Sequence, residues 1–132
     1  MTISYEWRGD LANAELNALH AEGFGHRLLA DDWRTQVRQH SLGWVCARQS
    51  ADLVGFANVP WDGGVHAFIL DTLVAGHVRH QGVGTRLVAT AAEHARAAGC
   101  EWLHVDFEDH LTGFYFGACG FVPTNAGLMA LR

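Results

Sequence analysis

Short apolar runs alternate along the chain with stretches whose apolar positions recur three and four apart, a pattern that predicts a mixture of strands and amphipathic helices. Ile3 to Trp7 reads as a short strand. Asn13 offers a cap to a helix whose Leu16 and Leu19 share a face before Gly23. Asp31 or Asp32 caps a second helix, where Trp33 and Val37 lie four apart. Leu42 to Gln49 and Leu53 to Val59 read as strands around Ser50-Ala51-Asp52, a hairpin with small and polar turn residues. Pro60 to Gly64 is the next turn, placing Val65 to Val74 antiparallel to the preceding strand. From Val83, the positions Leu87, Val88, Ala91, Ala92, Ala95 and Ala98 keep helical spacing until Gly99. Cys100 to Phe107 reads as a strand, a short helix begins near Asp109, and a last strand falls near Gly127 to Leu131. The order β-α-α-β-β-β-α-β-α-β joins an antiparallel meander to a β-α-β crossover. It predicts an α/β (α+β) fold with a mixed, mostly antiparallel sheet and helices on both faces.

Composition narrows the function classes. The 132 residues fit one domain over residues 1–132, with no repeat, linker or low-complexity tract. Nine arginine and lysine residues against 14 aspartates and glutamates give a net charge of −5 with no basic block, which argues against nucleic acid as a partner. Cys46, Cys100 and Cys119 are odd in number and lack metal-like spacing, so a reduced, cytoplasmic setting is expected. The start carries Glu6, Arg8 and Asp10, and no apolar run approaches bilayer length, so neither a signal peptide nor a membrane partner is expected. Nine histidines show no metal-ligand pair on a clear helix, and no metal site is expected.

The most informative stretch is Arg79-His80-Gln81-Gly82-Val83-Gly84, set between an apolar strand and the long helix. The first amides of a helix lack intrahelical partners and carry the positive end of its dipole, so an anion finds donors already aimed at it. Gly82 and Gly84 remove Cβ atoms that would hold a diphosphate away. No Gly-Lys-Ser/Thr follows, and a third glycine is missing, so neither a Walker A loop nor a dinucleotide fingerprint is present.

The extended pattern Val74-x-x-x-x-Arg79-x-x-Gly82-x-Gly84 resembles the acyl-CoA loop of the GNAT (Gcn5-related N-acetyltransferase) superfamily. Phe114-Tyr115-Phe116 followed by Gly120-Phe121 is similar to a second signature of that family, and Leu53 to Val59 resembles its third strand. The resemblance implies an N-acetyltransferase that moves the acetyl group of acetyl-CoA directly to a primary amine of a small molecule or protein, leaving CoA. Pantetheine is implied to lie beside Leu73 and Val74, where a backbone N–H near Val74 would polarise the thioester carbonyl. The diphosphate is implied to meet Arg79, His80, Gln81, Gly82, Val83, Gly84 and Thr85. A tail that is short for the family implies a thin sheet edge, or an edge that a second subunit covers in a homodimer. The other reading is an acyl-CoA-binding module without catalysis, acting as a sensor or partner protein.

Amine acetylation needs a deprotonated amine and a proton for the departing thiolate. The family often sets a tyrosine before its Gly-Phe pair with three residues between. Phe116 fills that slot here and Tyr115 precedes it by one, so Tyr115 reaches the thiolate only if the helix is irregular. Asp71 interrupts an apolar strand and must be paired, open to a cleft or shifted in pKa. Structural pairing with an arginine or a turn amide competes with a role at the acceptor ammonium. His104 and Asp106 share one face of their strand, and His104 is the candidate base if that face borders the cleft. Phe24, His26, Asp31, Asp32, Trp33, Trp61 and Asp62 are candidates for selecting a cationic acceptor, with Trp33 equally a core residue and Asp32 a cap.

Overall fold

The computed structural model describes residues 2–132. Strand β1 (Ile3–Trp7) precedes helices α1 (Asn13–Phe24) and α2 (Trp33–His40), then strands β2 (Ser41–Gln49), β3 (Asp52–Pro60), β4 (His66–Phe68) and β5 (Leu70–Val74). Helix α3 (Val83–Ala97), strand β6 (Trp102–His104) and a π-helix at Gly113–Ala118 follow. Strands β1, β2, β3 and β5 form an antiparallel sheet in that order, and β4 pairs with β6 in parallel. Among the described residues, no helix is long and apolar enough to cross a membrane.

Neighbouring residues of β3 show how the layers are built. Phe56 is fully buried and meets the edge of Trp33 from α2, while Gly55 faces Val83 and Leu87 of α3. Side chains alternate across a strand, so α2 and α3 lie on opposite faces of the sheet. Leu16 and Val37 complete one apolar layer, and Leu87 and Ala91 the other.

Caps explain where the helices start. Asp32 caps α2, its carboxylate accepting from the Thr35 amide at 3.3 Å and the Thr35 hydroxyl at 2.8 Å. Asn13 does not cap α1. Ala12 holds that position, and Glu15 accepts its amide at 2.8 Å. Asn13 instead donates to Asp32 at 3.0 Å and accepts from the Arg34 amide at 2.9 Å, tying the two helices together.

Three strand expectations are corrected. Val65 to Val74 is two strands, because His66–Phe68 pairs with β6 and Leu70–Val74 with β3; within β5, Leu73 faces Phe56 whereas Leu70 faces Asn58, which leaves one extra residue on β5. Asp71 takes the left-handed conformation at that bulge, with φ of 53°. β5 is antiparallel to β3 as expected, and β4, joined just past the end of β3 by one antiparallel bridge from Ala67 to Trp61, also pairs in parallel with β6. The Cys100 to Phe107 strand is limited to Trp102–His104, since pairing with β4 stops where β5 turns away. Residues near Gly127 to Leu131 form no strand. Val122, Leu128, Met129 and Leu131 are all more than four-fifths exposed, and the three-residue β6 offers a short edge on which to build.

One ion pair joins the layers. Both carboxylate oxygens of Glu15 accept from Arg48, at 2.9 and 2.6 Å, linking the first turn of α1 to β2. The Arg48 hydrogen bonds hold the Glu15 carboxyl below its ordinary 4.5. A depressed folded-state pKa contributes stability above the unfolded value and loses it as pH falls through the folded one. Glu15→Gln should therefore cost about 1 kcal/mol at neutral pH, after allowing for solvent screening, and progressively less as pH drops below about 4.5. Urea melts of both proteins across pH check this, and a cost that stays constant into acid refutes it.

Candidate active site

A gap opens where β5 leaves β6. The last bond across it runs from the Ile69 amide to the His104 carbonyl at 2.8 Å, after which the two chains diverge. On the far side of β5, Ala75 donates to the Val54 carbonyl at 2.8 Å and Leu73 pairs with Phe56. Backbone polar groups alternate between the two edges of a strand, so the N–H and C=O of Val74 point away from β3, toward the gap. The Leu73 side chain is buried against Gly23 of α1 and belongs to the wall of the core.

Below the gap, Gly76–Val78 makes one 3-10 turn anchored by buried Val78, and Arg79 to Gly82 are exposed. His80 and Gly82 both take positive φ, 65° and 77°, which folds the loop back onto α3. Gly82 is the N-cap residue and supplies no side-chain acceptor; the first helical bond is from Arg86 to the Gly82 carbonyl at 3.1 Å. The amides of Val83, Gly84 and Thr85 are therefore left without a capping side chain at the positive end of a 15-residue helix. The two glycines differ in purpose. A Cβ on Gly82 would meet open space, so its demand is conformational, whereas a Cβ on Gly84 would lie 3.0 Å from the Phe114 ring. Close packing on Phe114 thus gives a reason for glycine at position 84 that is independent of any ligand.

Tyr115 is carried into the same region by the π-helix. The Cys119 amide reaches back five residues to the Phe114 carbonyl at 2.9 Å, so each turn holds more residues than an α-helical turn and the rotation per residue is smaller. The helix is thus irregular at Tyr115, which is the condition the displaced tyrosine requires. Tyr115 is 7% exposed, stacked on Phe107 at 4.7 Å and edged by Phe114 and Phe121. Its hydroxyl lies against the Thr72 hydroxyl of β5, near enough to draw its pKa down a little although hydrogen-bond geometry is not met. Burial outweighs that effect and pushes the phenol above its ordinary value of 10.0. Thr72 Oγ1 is thus buried without a partner on the wall of the gap. Cys119 nearby is pushed up by burial, consistent with a packed thiol rather than a nucleophile.

Asp71 and His104 go to different neighbours. Asp71 Oδ1 is 3.2 Å from His20 Nε2 on α1, so its partner is a histidine rather than an arginine or a turn amide. His104 Nε2 is 2.8 Å from His66 Nδ1, and its ring stacks on Phe68 at 4.8 Å. Among the described residues, it is bonded to neither Asp71 nor Tyr115. Asp62 accepts from the Gly64 and His66 amides, which hold its carboxyl below the ordinary range and make it a turn residue. Trp33 is buried core, its indole donating to Asn17 at 3.2 Å.

A family model for the acetyltransferase (GNAT) family matches residues 9–121. The chain belongs to the GNAT family. Glucosamine 6-phosphate N-acetyltransferase 1 of Oryza sativa subsp. japonica is 42% identical to this GNAT chain over 55 residues, which are 42% of the chain and 33% of that relative. The match spans about a third of the relative's length. Among solved GNAT structures, glucosamine-6-phosphate N-acetyltransferase from Arabidopsis thaliana superposes with a TM-score of 0.74 at 16% identity, covering 96% of this chain and 97% of that one. AAC(6')-Iy in complex with a CoA-S-monomethyl-acetylneamine bisubstrate analogue gives 0.77 at 19% identity, covering 100% and 99%. An acetyltransferase of Trypanosoma brucei gives 0.78 at 18%, covering 98% and 99%. At these identities the structures share the GNAT fold.

Two residues that meet candidate residues of this GNAT chain escaped the sequence reading. His20 follows Leu16 by four on the same face of α1, so the spacing that marks the core also points His20 at the sheet. Thr72 carries no comparable signal, because the bulge at Asp71 that turns it toward Tyr115 is invisible in an apolar run.

Proposed function

We propose that this GNAT protein transfers the acetyl group of acetyl-CoA to a primary amine of a small molecule or protein. The observation that carries the reading is the π-helix, which sets the Tyr115 phenol beside Thr72, on the strand whose Val74 amide faces the gap. The open amides of Val83 to Thr85, with Arg79 and Gln81 exposed beside them, suit a diphosphate. Bound acetyl-CoA supplies an acetyl thioester. The Val74 N–H donates to the thioester oxygen, and Tyr115, whose raised pKa keeps it protonated at neutral pH, gives a proton to sulfur. Asp71 holds the acceptor ammonium. The net charge of −5 favours a cationic acceptor.

CoA release from acetyl-CoA, assayed with glucosamine 6-phosphate, an aminoglycoside and simple primary amines, tests the reading. Turnover with at least one is expected. Acetyl-CoA binding without turnover across the whole panel refutes transfer and leaves a binding module. Arg79→Ala should weaken CoA binding about 10-fold, the order expected for loss of a charge-assisted bond to phosphate. Unchanged affinity in titration calorimetry removes Arg79 from the site.

A further inference from the structure

On the α1 side of β5, the face opposite the one Thr72 turns to Tyr115, the structure holds an unbroken chain from a carboxylate through two imidazole rings. Asp71 Oδ1 is 3.2 Å from His20 Nε2, His20 Nδ1 is 2.6 Å from His26 Nε2, and His26 Nδ1 is 2.6 Å from the Arg27 carbonyl oxygen. Counting hydrogens along it is decisive. A carbonyl only accepts, so His26 Nδ1 carries a hydrogen. A neutral imidazole has one N–H, which leaves a lone pair on His26 Nε2, so the next contact closes only if His20 Nδ1 carries a hydrogen as well. His20 Nε2 then presents a lone pair to a carboxylate, and that contact is repulsive without a further proton. Three contacts need three protons, while a carboxylate and two neutral imidazoles bring two. The vacancy falls at the longest contact, between His20 and Asp71, which is also the end nearest Val74 along β5.

We propose that Asp71, His20 and His26 form one proton-accepting unit for the acceptor amine. It rests on the amine-transfer reading above. The acceptor ammonium is drawn to Asp71, whose Oδ2 takes no bond from the protein among the described residues. The ammonium N–H bond breaks, its electron pair stays on nitrogen as the attacking lone pair, and the proton goes to His20 Nε2 against Asp71 Oδ1. The unit passes from one net negative charge to none, and every contact in it becomes a hydrogen bond. The positive charge on His20 is spread toward His26, which is partly exposed and returns the proton to solvent. Phe24 at 4.6 Å and Trp33 at 5.2 Å flank the His20 ring and hold it in place. The titratable groups bonded to it are Asp71 from β5 and His26 from the loop after α1; α2 presents the Trp33 ring, whose N–H is already given to Asn17.

The test begins without substrate. Imidazole 15N spectra of the ligand-free protein across pH should show His20 and His26 taking up one proton between them, in a single shared step that His26→Gln abolishes. Two rings that titrate independently overturn the unit. With acetyl-CoA and the amine active in the panel, His26→Gln should lower kcat/KM about 10-fold at neutral pH and move the acidic limb of its pH profile, with CoA affinity unchanged. Asp71→Asn should do the same more strongly, and asparagine tolerates the left-handed backbone at that position. An unmoved acidic limb in both variants also refutes the unit. A shared titration without turnover refutes amine transfer and leaves the proton unit standing, whereas independent titration with normal turnover does the reverse.

Discussion

Tyr115→Phe should lower kcat about 100-fold while leaving acetyl-CoA affinity within about twofold, the loss typical of removing a positioned general acid. The variant is structurally mild. A phenyl ring keeps the stack on Phe107 and the edges of Phe114 and Phe121. The lost hydroxyl takes no well-formed bond with it, because Thr72 Oγ1 already lacks a partner in hydrogen-bond geometry. Thermal stability should therefore be unchanged or slightly higher, which separates a chemical effect from a folding one. Burial raises the Tyr115 pKa, so the basic limb of the wild-type profile should lie above 10.0. Rapid-quench measurement of a single turnover reads the chemical step directly, and an undiminished rate in the variant excludes Tyr115 as the acid.

Gly84→Val should be the most damaging small change near the gap. A Cβ at this position already lies 3.0 Å from two Phe114 ring atoms, and the branched side chain adds volume with no space to take it. Overpacking of this kind costs about 1–3 kcal/mol. The strain falls on the π-helix through Phe114, the neighbour of Tyr115, so activity should fall by more than the folded fraction does. Gly84→Ala should show the same pattern at smaller size. Pairing either change with Phe114→Leu, which withdraws the ring, should recover stability. If the double variant is as unstable as the sum of its parts, the clash is not the cause.

Much of the fold could be read from periodicity because periodicity reports burial. Trp33 and Val37, the Val83 to Ala97 helix and the Ser50-Ala51 hairpin all fall where their patterns place them. What could not be read depends on backbone detail that apolar pattern does not encode. The strand from Val65 to Val74 is apolar from Ala67 to Leu70, yet it changes partner near Ile69, and only Asp71 shortly after hints at the break. The tail shows the converse, since Leu128, Met129 and Leu131 look like a strand but find no edge to pair with among the described residues. In the candidate site, the open helix start could be read from Gly82 and the long helix behind it. The inward turn of Tyr115 could only be posed as a condition, which the i to i+5 hydrogen bonding then met.

The extra residue at Asp71 can be viewed as a phase shift. Side chains point to opposite faces at every step along a strand, so inserting one residue exchanges the roles of all that follow. Leu70 and Leu73 are three apart, yet they lie opposite Asn58 and Phe56, which are two apart and share a face; past the bulge, Leu73 is buried against α1 and Val74 is directed at α3. Deleting Asp71 would join the two halves in one phase, and Leu73 and Val74 would then trade faces. One residue thus keeps two incompatible registers in a single length of chain.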